Sequence, residues 1–398
     1  MPEIAWKICG LTDAVFVRKS KEIYINEAFR FAMKQFCCAI LFGLCFTFCA
    51  LVGQASVNGP CANCHTMHNS QNGGTVATIL QSGVRVAAPV QKTLLVSDCV
   101  GCHSSSTGDT IVTLTGGTRI PIVYNTGGYP AKPLAGGNFY HVAQGGATND
   151  VYGHNVYGIS GMDNNLSAGA PGGEEYNCTN SCHHTLANNL SHSYGTNGCT
   201  ACHSGFKHHG SDPPPGSPET AASGWYRFLA GHKNLVSIRY VEGIEDPDWE
   251  QAPTATAHNG YTGVKTYYNN FTTGQGLSTN HTTTAFCGGC HKDFHADNGG
   301  YPDNVGPWVR HPTDLALPAT GEYANYNPTT AYDPQVPVGW INPSSPTRET
   351  AVVMCLSCHR AHGSEYPDML RWDYTKMITG DGVTVGNGCF KCHSAKDN

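Results

Sequence analysis

The sequence is organised around the stretch Cys61-Ala62-Asn63-Cys64-His65-Thr66-Met67-His68-Asn69-Ser70. Its first five residues place two cysteines two residues apart, with a histidine directly after the second. This is the attachment pattern of c-type haem. Each thiol can bond one vinyl group of the porphyrin, and the imidazole that follows can bind the iron as its proximal ligand. The stretch therefore predicts one covalent haem.

The pattern recurs five more times, and a further copy, the third along the chain, is longer by one residue. The cysteines predicted to attach haem are Cys61, Cys64, Cys99, Cys102, Cys178, Cys182, Cys199, Cys202, Cys287, Cys290, Cys355, Cys358, Cys389 and Cys392. The predicted proximal ligands are His65, His103, His183, His203, His291, His359 and His393. Numbered in chain order, these are motifs 1 to 7, and they predict seven haems c.

Zinc knuckles, redox-active cysteine pairs and disulfides are the alternatives to haem. A zinc or redox site has no need of a histidine directly after the second cysteine, and here the histidine is always present. Motif 3 is the exception in spacing, because Cys178 and Cys182 are three residues apart and can instead close a small disulfide loop. Since His183 follows and every other cysteine after residue 56 has a role, we predict haem there too.

The five cysteines outside the motifs all precede residue 56, which coincides with a secretion signal. A short basic region at 33–35 leads into an apolar stretch, 36–52, and small residues follow at 53–55. We predict cleavage after Ala55. Residues 1–32 do not resemble the start of a signal, so they are predicted to precede the true start of the protein at Met33. The chain is therefore expected to be secreted, reaching the cell surface or the extracellular space through the periplasm.

The composition predicts an irregular fold. Charged residues are 13% of the chain, with 47 glycines and 23 prolines, which favours turns over long helices. About 49 residues per haem remain after the leader, so porphyrins must supply much of the core. We expect a mostly irregular chain with short helices and few short strands, wrapped around a continuous chain of covalently attached haems. Strands are predicted within 76–95 and 110–124, the latter turning at Gly116-Gly117.

Three regions are predicted after the leader at 1–55. An N-terminal haem region, 56–210, carries haems 1 to 4. A proline run at 213–215 opens a cysteine-free connector, 211–286. Its aromatic residues either form walls over haem faces or build a small β-rich core, and the sequence does not separate the two. A C-terminal haem region, 287–398, carries haems 5 to 7.

The charge balance excludes some partners. The formal net charge is −6, and removal of the leader leaves 17 basic and 25 acidic residues. Haem propionates deepen this negative charge. Nucleic acid and anionic membrane surfaces are therefore not expected to bind. No stretch after the signal is apolar enough to span a bilayer.

The histidines outside the motifs decide what the irons can do, because an iron with two protein ligands mainly passes electrons. Of the 20 histidines, 13 remain for seven distal positions, so every haem can be bis-histidine. The predicted distal ligands are His68, His154, His208, His209, His258, His295, His311 and His362. The reserves are His141, His184, His192, His232 and His281.

Five segments together carry a family resemblance. They are Cys61–Ser70, Gly-His-Asn-Val at 153–156, Arg-His-Pro at 310–312, Cys-Leu-Ser-Cys-His-Arg-Ala-His at 355–362 and the closing run Cys-Phe-Lys-Cys-His-Ser-Ala-Lys-Asp at 389–397. The chain resembles the filament-forming, outer-surface multihaem c-type cytochromes of metal-reducing bacteria. The resemblance implies a continuous series of bis-histidine haems and head-to-tail assembly with copies of itself. It also implies that His68 ligates a haem of the neighbouring subunit. A count of seven haems and the stretched motif depart from the best-known members.

These observations favour an extracellular electron carrier without intrinsic enzymatic activity. It would exchange electrons with other multihaem cytochromes or extracellular acceptors. The alternatives are a secreted multihaem reductase of nitrite, hydroxylamine or a sulfur oxyanion, and a periplasmic electron shuttle or conduit subunit. A reductase would need one haem without a distal histidine, and an entirely low-spin set of haems would count against it.

Overall fold

A computed structural model describes residues 59–72, 74–75, 78–81, 84–87, 90, 94–96, 98–127, 133–145, 148–163, 165, 170–171, 186–187, 198–203, 208, 226–230, 238–264, 277–291, 294, 311 and 313–396. The chain divides into two units, Met1–Gln54 and Ala55–Asn398, and every described residue belongs to the second. Several predictions lie outside the described residues: the leader 1–55, Cys178, Cys182, His183, His184, His192, His209, His232 and His295.

The helices of the described residues are single turns or little more. Within that part of the chain, four are α-helical: α1 (Cys99–Cys102), α2 (Tyr140–Ala143), α3 (Thr283–Gly288) and α4 (Cys389–Cys392). The 3₁₀ turns are Cys61–Asn63, Asp150–Tyr152, Gly198–Ala201, Tyr226–Phe228, Gly321–Tyr323, Arg348–Thr350, Cys355–Ser357, Pro367–Met369 and Tyr374–Lys376. Side chains cap two of the α-helices: Asp98 accepts from the N–H of Gly101 at 2.7 Å, and Thr282 accepts from that of Ala285 at 3.0 Å.

The strands are equally short. They are β1 (Ser70–Gln71), β2 (Gly74–Thr75), β3 (Thr78–Gln81), β4 (Val84–Ala87), β5 (Ser104–Ser105), β6 (Ile111–Thr113), β7 (Arg119–Pro121), β8 (Tyr124–Asn125), β9 (Gly243–Ile244), β10 (Gly260–Thr262), β11 (Leu315–Ala316), β12 (Gly339–Trp340) and β13 (Ala351–Val353). Four two-stranded sheets pair β1 with β2, β3 with β4, β5 with β8, and β6 with β7. One five-stranded sheet has the order β11-β13-β12-β10-β9, in which only β10 and β12 run parallel.

The predicted fold class is confirmed: the chain is mostly irregular, with short helices and short strands. The strands predicted within 76–95 and 110–124 are also confirmed, as β3–β4 and β6–β7. Gly116 and Gly117 make the second turn with φ of +94° and +91°, which only glycine adopts readily. Among the described residues, no helix combines the length and apolar composition that crossing a bilayer requires.

The described apolar side chains pack in three clusters, and each cluster includes residues of a haem motif or of its flanks. The first is built on Val142 and Ile159 and takes in Val100 of motif 2. The second surrounds Tyr226 and Val241 and reaches Leu356 of motif 6, and the third surrounds Val338 and contacts Cys392 of motif 7.

The five-stranded sheet joins two of the predicted regions. Strands β9 and β10 come from the connector 211–286, whereas β11, β12 and β13 come from the region 287–398. The boundaries of the three regions stay predictions.

Candidate haem-binding sites

Each of the six described motifs folds into the same turn. The backbone N–H of the histidine donates to the carbonyl of the first cysteine, at 2.8 to 3.1 Å in all six copies. The two cysteines and the histidine thus stand at positions i, i+3 and i+4 of one helical turn, which share a face. The sequence spacing and the backbone together present two thiols and one imidazole in the same direction six times.

The imidazoles of five motifs are held in one tautomer. Nδ1 of the motif histidine donates to a backbone carbonyl in four of them: His103 to Pro121, His203 to Arg227, His291 to Pro171 and His359 to Asp368, at 2.8 to 2.9 Å. In motif 7, Nδ1 of His393 donates to the carboxylate of Glu322 at 2.7 Å. A carbonyl can only accept, so the proton lies on Nδ1 and the lone pair on Nε2. This hydrogen bond is the one that orients metal-binding histidines.

Four of these proximal histidines face a second histidine from elsewhere in the chain. The ring pairs are His103 with His208, His203 with His362, His291 with His154, and His393 with His311. Their centroids are 6.3, 6.1, 6.1 and 6.1 Å apart. The near-equal spacing holds although the interplanar angles range from 35° to 85°.

The spacing fits a metal ion between the rings. Metal–imidazole nitrogen bonds are about 2 Å long, so each ring centroid lies about 3 Å from the metal and two opposed ligands place their centroids about 6 Å apart. Direct stacking would bring the rings much closer, as it does for His258 on Tyr332 at 3.5 Å. Two opposed imidazoles at this spacing fit haem iron, for which a porphyrin would supply the remaining ligands.

Burial favours the uncharged form of five of the paired imidazoles, which is the form that binds metal. It lowers the pKa of His103, His154, His203, His291 and His362, and the lowering is largest for His362. Nearby His203 and Arg227 add to the effect of burial on the pKa of His362. The described cysteines are all free thiols. Burial raises the pKa of the second thiol to about 12 in Cys202, Cys358 and Cys392, and to about 11 in Cys290.

The motifs lie next to one another in a fixed order. Burial and the neighbouring thiol of Cys102 raise the pKa of Cys64, which links motifs 1 and 2. The thiols of Cys99 and Cys199 affect each other's ionisation, as do those of Cys287 and Cys355, which links motifs 2 and 4 and motifs 5 and 6. Two more thiol pairs are close enough to affect each other's ionisation, Cys202 with Cys290 and Cys358 with Cys389. The described motifs therefore follow one another as 1-2-4-5-6-7.

The structure does not bring every predicted distal ligand to a proximal histidine. His258 donates from Nδ1 to the Asn259 carbonyl at 2.9 Å, and the reserve His281 donates to that of Tyr240 at 3.0 Å, so both have the tautomer of a ligand. Within the described part of the chain, neither the His258 ring nor the His281 ring faces a motif histidine at the 6 Å spacing. No described histidine ring faces His359 at that spacing either.

His68 is exposed at the tip of a tight turn. Met67 and Ser70 exchange both backbone hydrogen bonds across it, at 2.9 and 3.0 Å. The two tip residues, His68 and Asn69, have φ of +55° and +81°. Positive φ at both central residues is the geometry of a two-residue hairpin turn, and asparagine tolerates it well.

Two features of the sites were missed from the sequence. The acceptors that orient the imidazoles include Glu322, which lies 71 residues from His393. Gly136 also approaches the ring of His362 so closely that a Cβ there would stand 2.6 Å from Nδ1. No sequence signal marks either residue, because both contacts form only when distant segments pack.

Repeated attachment turns with oriented, paired imidazoles define a multihaem c-type cytochrome that carries covalent haem c. The chain is similar to C-type cytochrome OmcS of Geobacter sulfurreducens, with 26% identity over 385 residues, covering 83% of this chain and 82% of that protein. The family described as a doubled CXXCH motif matches residues 348–398, which hold motifs 6 and 7. The resemblance predicted from the sequence is confirmed: the chain is similar to OmcS and shares its type of haem motif.

Two solved structures are also similar. The Outer Membrane Cytochrome S Filament from Geobacter sulfurreducens has a TM-score of 0.44 and 21% identity, covering 87% of this chain and 93% of that one. The OmcS nanowires of the same organism have a TM-score of 0.41 and 20% identity, covering 87% and 92%.

Proposed function

We propose that the mature chain is a secreted, extracellular electron carrier that holds seven haems c, each between two histidines, and that its copies assemble into a filament. The ordered series of attachment turns carries this proposal. Each described motif has a thiol within electrostatic range of a thiol of the next, in the order 1-2-4-5-6-7. Bound haem supplies an iron that takes up and releases one electron. Attachment turns packed this closely hold neighbouring haems near enough for rapid transfer.

The axial ligands follow from the ring pairs. We assign His208, His362, His154 and His311 as distal ligands opposite His103, His203, His291 and His393. His154 is oriented in the same manner as the proximal histidines, since its Nδ1 donates to the Ala361 carbonyl at 2.6 Å. His68, His209, His258 and His295, with the reserve histidines, remain candidates for the haems of motifs 1, 3 and 6.

The seventh haem rests on the sequence of motif 3, and intact-protein mass tests it. A chain beginning near Ser56 with seven haems is expected, and Cys178→Ser together with Cys182→Ser should remove the mass of one haem. Because motifs 2 and 4 are in direct contact, the other six sites should keep their spectra in this variant. A mass of six haems with an internal disulfide in the unmodified protein would contradict the count of seven.

Filament assembly is proposed from the similarity to OmcS and from the exposed turn that carries His68. A ligand offered from an exposed hairpin tip can reach a neighbouring subunit at little conformational cost. Such a contact uses different surfaces on the two copies and does not close, so it propagates. The absence of intrinsic reductase activity belongs to the same proposal, as does exchange of electrons with other cytochromes or extracellular acceptors.

The test of the electron-carrier function is spectroscopic and uses the secreted, haem-loaded protein. If all irons have two histidine ligands, the ferric protein should show only low-spin signals and the reduced protein should not bind carbon monoxide. Stoichiometric carbon monoxide binding by one haem without denaturant would contradict this function and favour the reductase. The same preparation should be reduced and reoxidised reversibly on an electrode.

A further inference from the structure

The seventh motif differs from motifs 2, 4, 5 and 6 in what orients its histidine. Four proximal imidazoles donate from Nδ1 to backbone carbonyls, whereas His393 donates to the carboxylate of Glu322. A carbonyl oxygen has a partial charge, but a carboxylate has a full one, and hydrogen bonds to ionised acceptors are about twice as strong. An imidazole bonded to a carboxylate is a more basic ligand.

Glu322 is fixed in place by its surroundings. Its backbone carbonyl accepts from the N–H of Ala395 at 2.9 Å and from the hydroxyl of Ser394 at 3.1 Å. The other carboxylate oxygen is 3.1 Å from Nζ of Lys396. The segment directly after motif 7 therefore clamps the short turn Gly321–Tyr323, and the contact with His393 does not depend on a flexible side chain alone.

We propose that Glu322 is a positioning residue that lowers the reduction potential of the haem on motif 7 below the value that a carbonyl acceptor would give. This inference rests on the proposed function, since it requires haem at Cys389 and Cys392 with His393 as its ligand. One-electron reduction removes one positive charge from the site. A more basic imidazole and an adjacent fixed negative charge both favour the oxidised state.

The position of motif 7 gives this effect a functional meaning. Among the described motifs it stands at one end of the series, adjacent to motif 6. Within one isolated chain, a lower potential at this end makes the site a donor to the haem of motif 6.

The experiment is a redox titration of the full haem-loaded protein, comparing Glu322→Gln with Asp333→Asn. Asp333 is the matched control, because its carboxylate lies 3.2 Å from Lys391 within the same motif and does not contact His393. In the titration curve of Glu322→Gln, one step with the amplitude of a single haem should move to higher potential. The expected change is about tenfold in its one-electron equilibrium constant, or about 59 mV. In Asp333→Asn, the midpoint potential of the same step should change by only a small fraction of this shift.

A second variant separates the hydrogen bond from the charge. Glu322→Asp keeps the charge on a shorter side chain that cannot reach Nδ1 without moving the clamped turn, so its component should shift in the same direction. Equal shifts in Glu322→Gln and Asp333→Asn, or no shift in Glu322→Asp, would overturn the proposal. The mass of the peptide that contains Cys389 and Cys392 shows which proposal has failed. If the peptide carries no haem, the proposed function fails at this site. If it carries haem but the potential does not shift, only the role of Glu322 is rejected.

Discussion

The segments 61–68 and 355–362 share one pattern, Cys-x-x-Cys-His-x-x-His, yet the structure uses their second histidines differently. His68 lies exposed on a two-residue turn. His362 donates its backbone N–H to the carbonyl of Gly136 at 2.6 Å, and its ring stacks on Phe139 at 4.7 Å. Identical spacing therefore fixes the attachment turn but not the reach of the histidine three residues later. What packs on that histidine decides its role.

The largest expected difference between the two histidines appears on truncation. In His362→Ala, the haem of motif 4 should turn high-spin because His203 loses its opposed ring. The free energy of unfolding should fall by on the order of 3 kcal/mol, since a buried ring and a ligand are both removed. Electron paramagnetic resonance and chemical unfolding measure the two effects. An entirely low-spin His362→Ala protein would show that His362 is a packed core residue and not a ligand.

Acid should destabilise the fold through the buried histidines. Burial lowers the pKa of His103, His154, His203, His291 and His362 from the ordinary 6.5. The unfolded chain therefore binds protons below about pH 6.5 while the folded chain does not, so this stability is complete above that pH and is lost as pH falls through the lowered values. Unfolding midpoints between pH 8 and pH 5 should be flat and then fall. The slope should be shallower in His362→Ala, and an unchanged slope would remove His362 from the set.

Steric displacement of the His362 ring should have the same effects as its removal in His362→Ala, but smaller ones. In Gly136→Ala the new Cβ would lie 2.6 Å from Nδ1 of His362, so the ring must shift. A loss of about 1–3 kcal/mol is expected, together with a partial high-spin signal. Gly161→Ala is the control, because nothing lies within 4 Å of its Cβ. Equal behaviour of the two variants would mean that the close approach of Gly136 is not needed to hold the ligand.

The smallest effect on the single chain, and the largest on assembly, is expected for His68→Ala. The variant should be secreted with its full complement of haems and unchanged unfolding midpoint, but electron microscopy should show no filaments and one haem per subunit should be high-spin. Met67→Ala is the control, since Met67 is the exposed neighbour on the same turn. Normal filaments in His68→Ala with low-spin haems would assign His68 to the surface alone.

The sequence by itself determined the chemistry of attachment and the class of fold. Two thiols and an imidazole at i, i+3 and i+4 are a local arrangement, and one helical turn suffices to present them, so six turns agree with the spacing. Frequent glycine and proline excluded long helices for an equally local reason. The Gly116-Gly117 turn was predictable because glycine adopts positive φ at both positions without steric cost.

Only the tertiary structure decided which histidines oppose which, which acceptor orients each ring, and the order of the motifs. His203 meets His362, and His393 meets Glu322, across long stretches of chain. Histidine spacing has no influence on such meetings, because they depend on how separate segments pack. For the same reason the sequence ranked His258 with the ligands and His281 below it, although the structure gives both the same tautomer and the same stacking on a tyrosine. An imidazole becomes an axial ligand through its surroundings, and those surroundings come from distant parts of the chain.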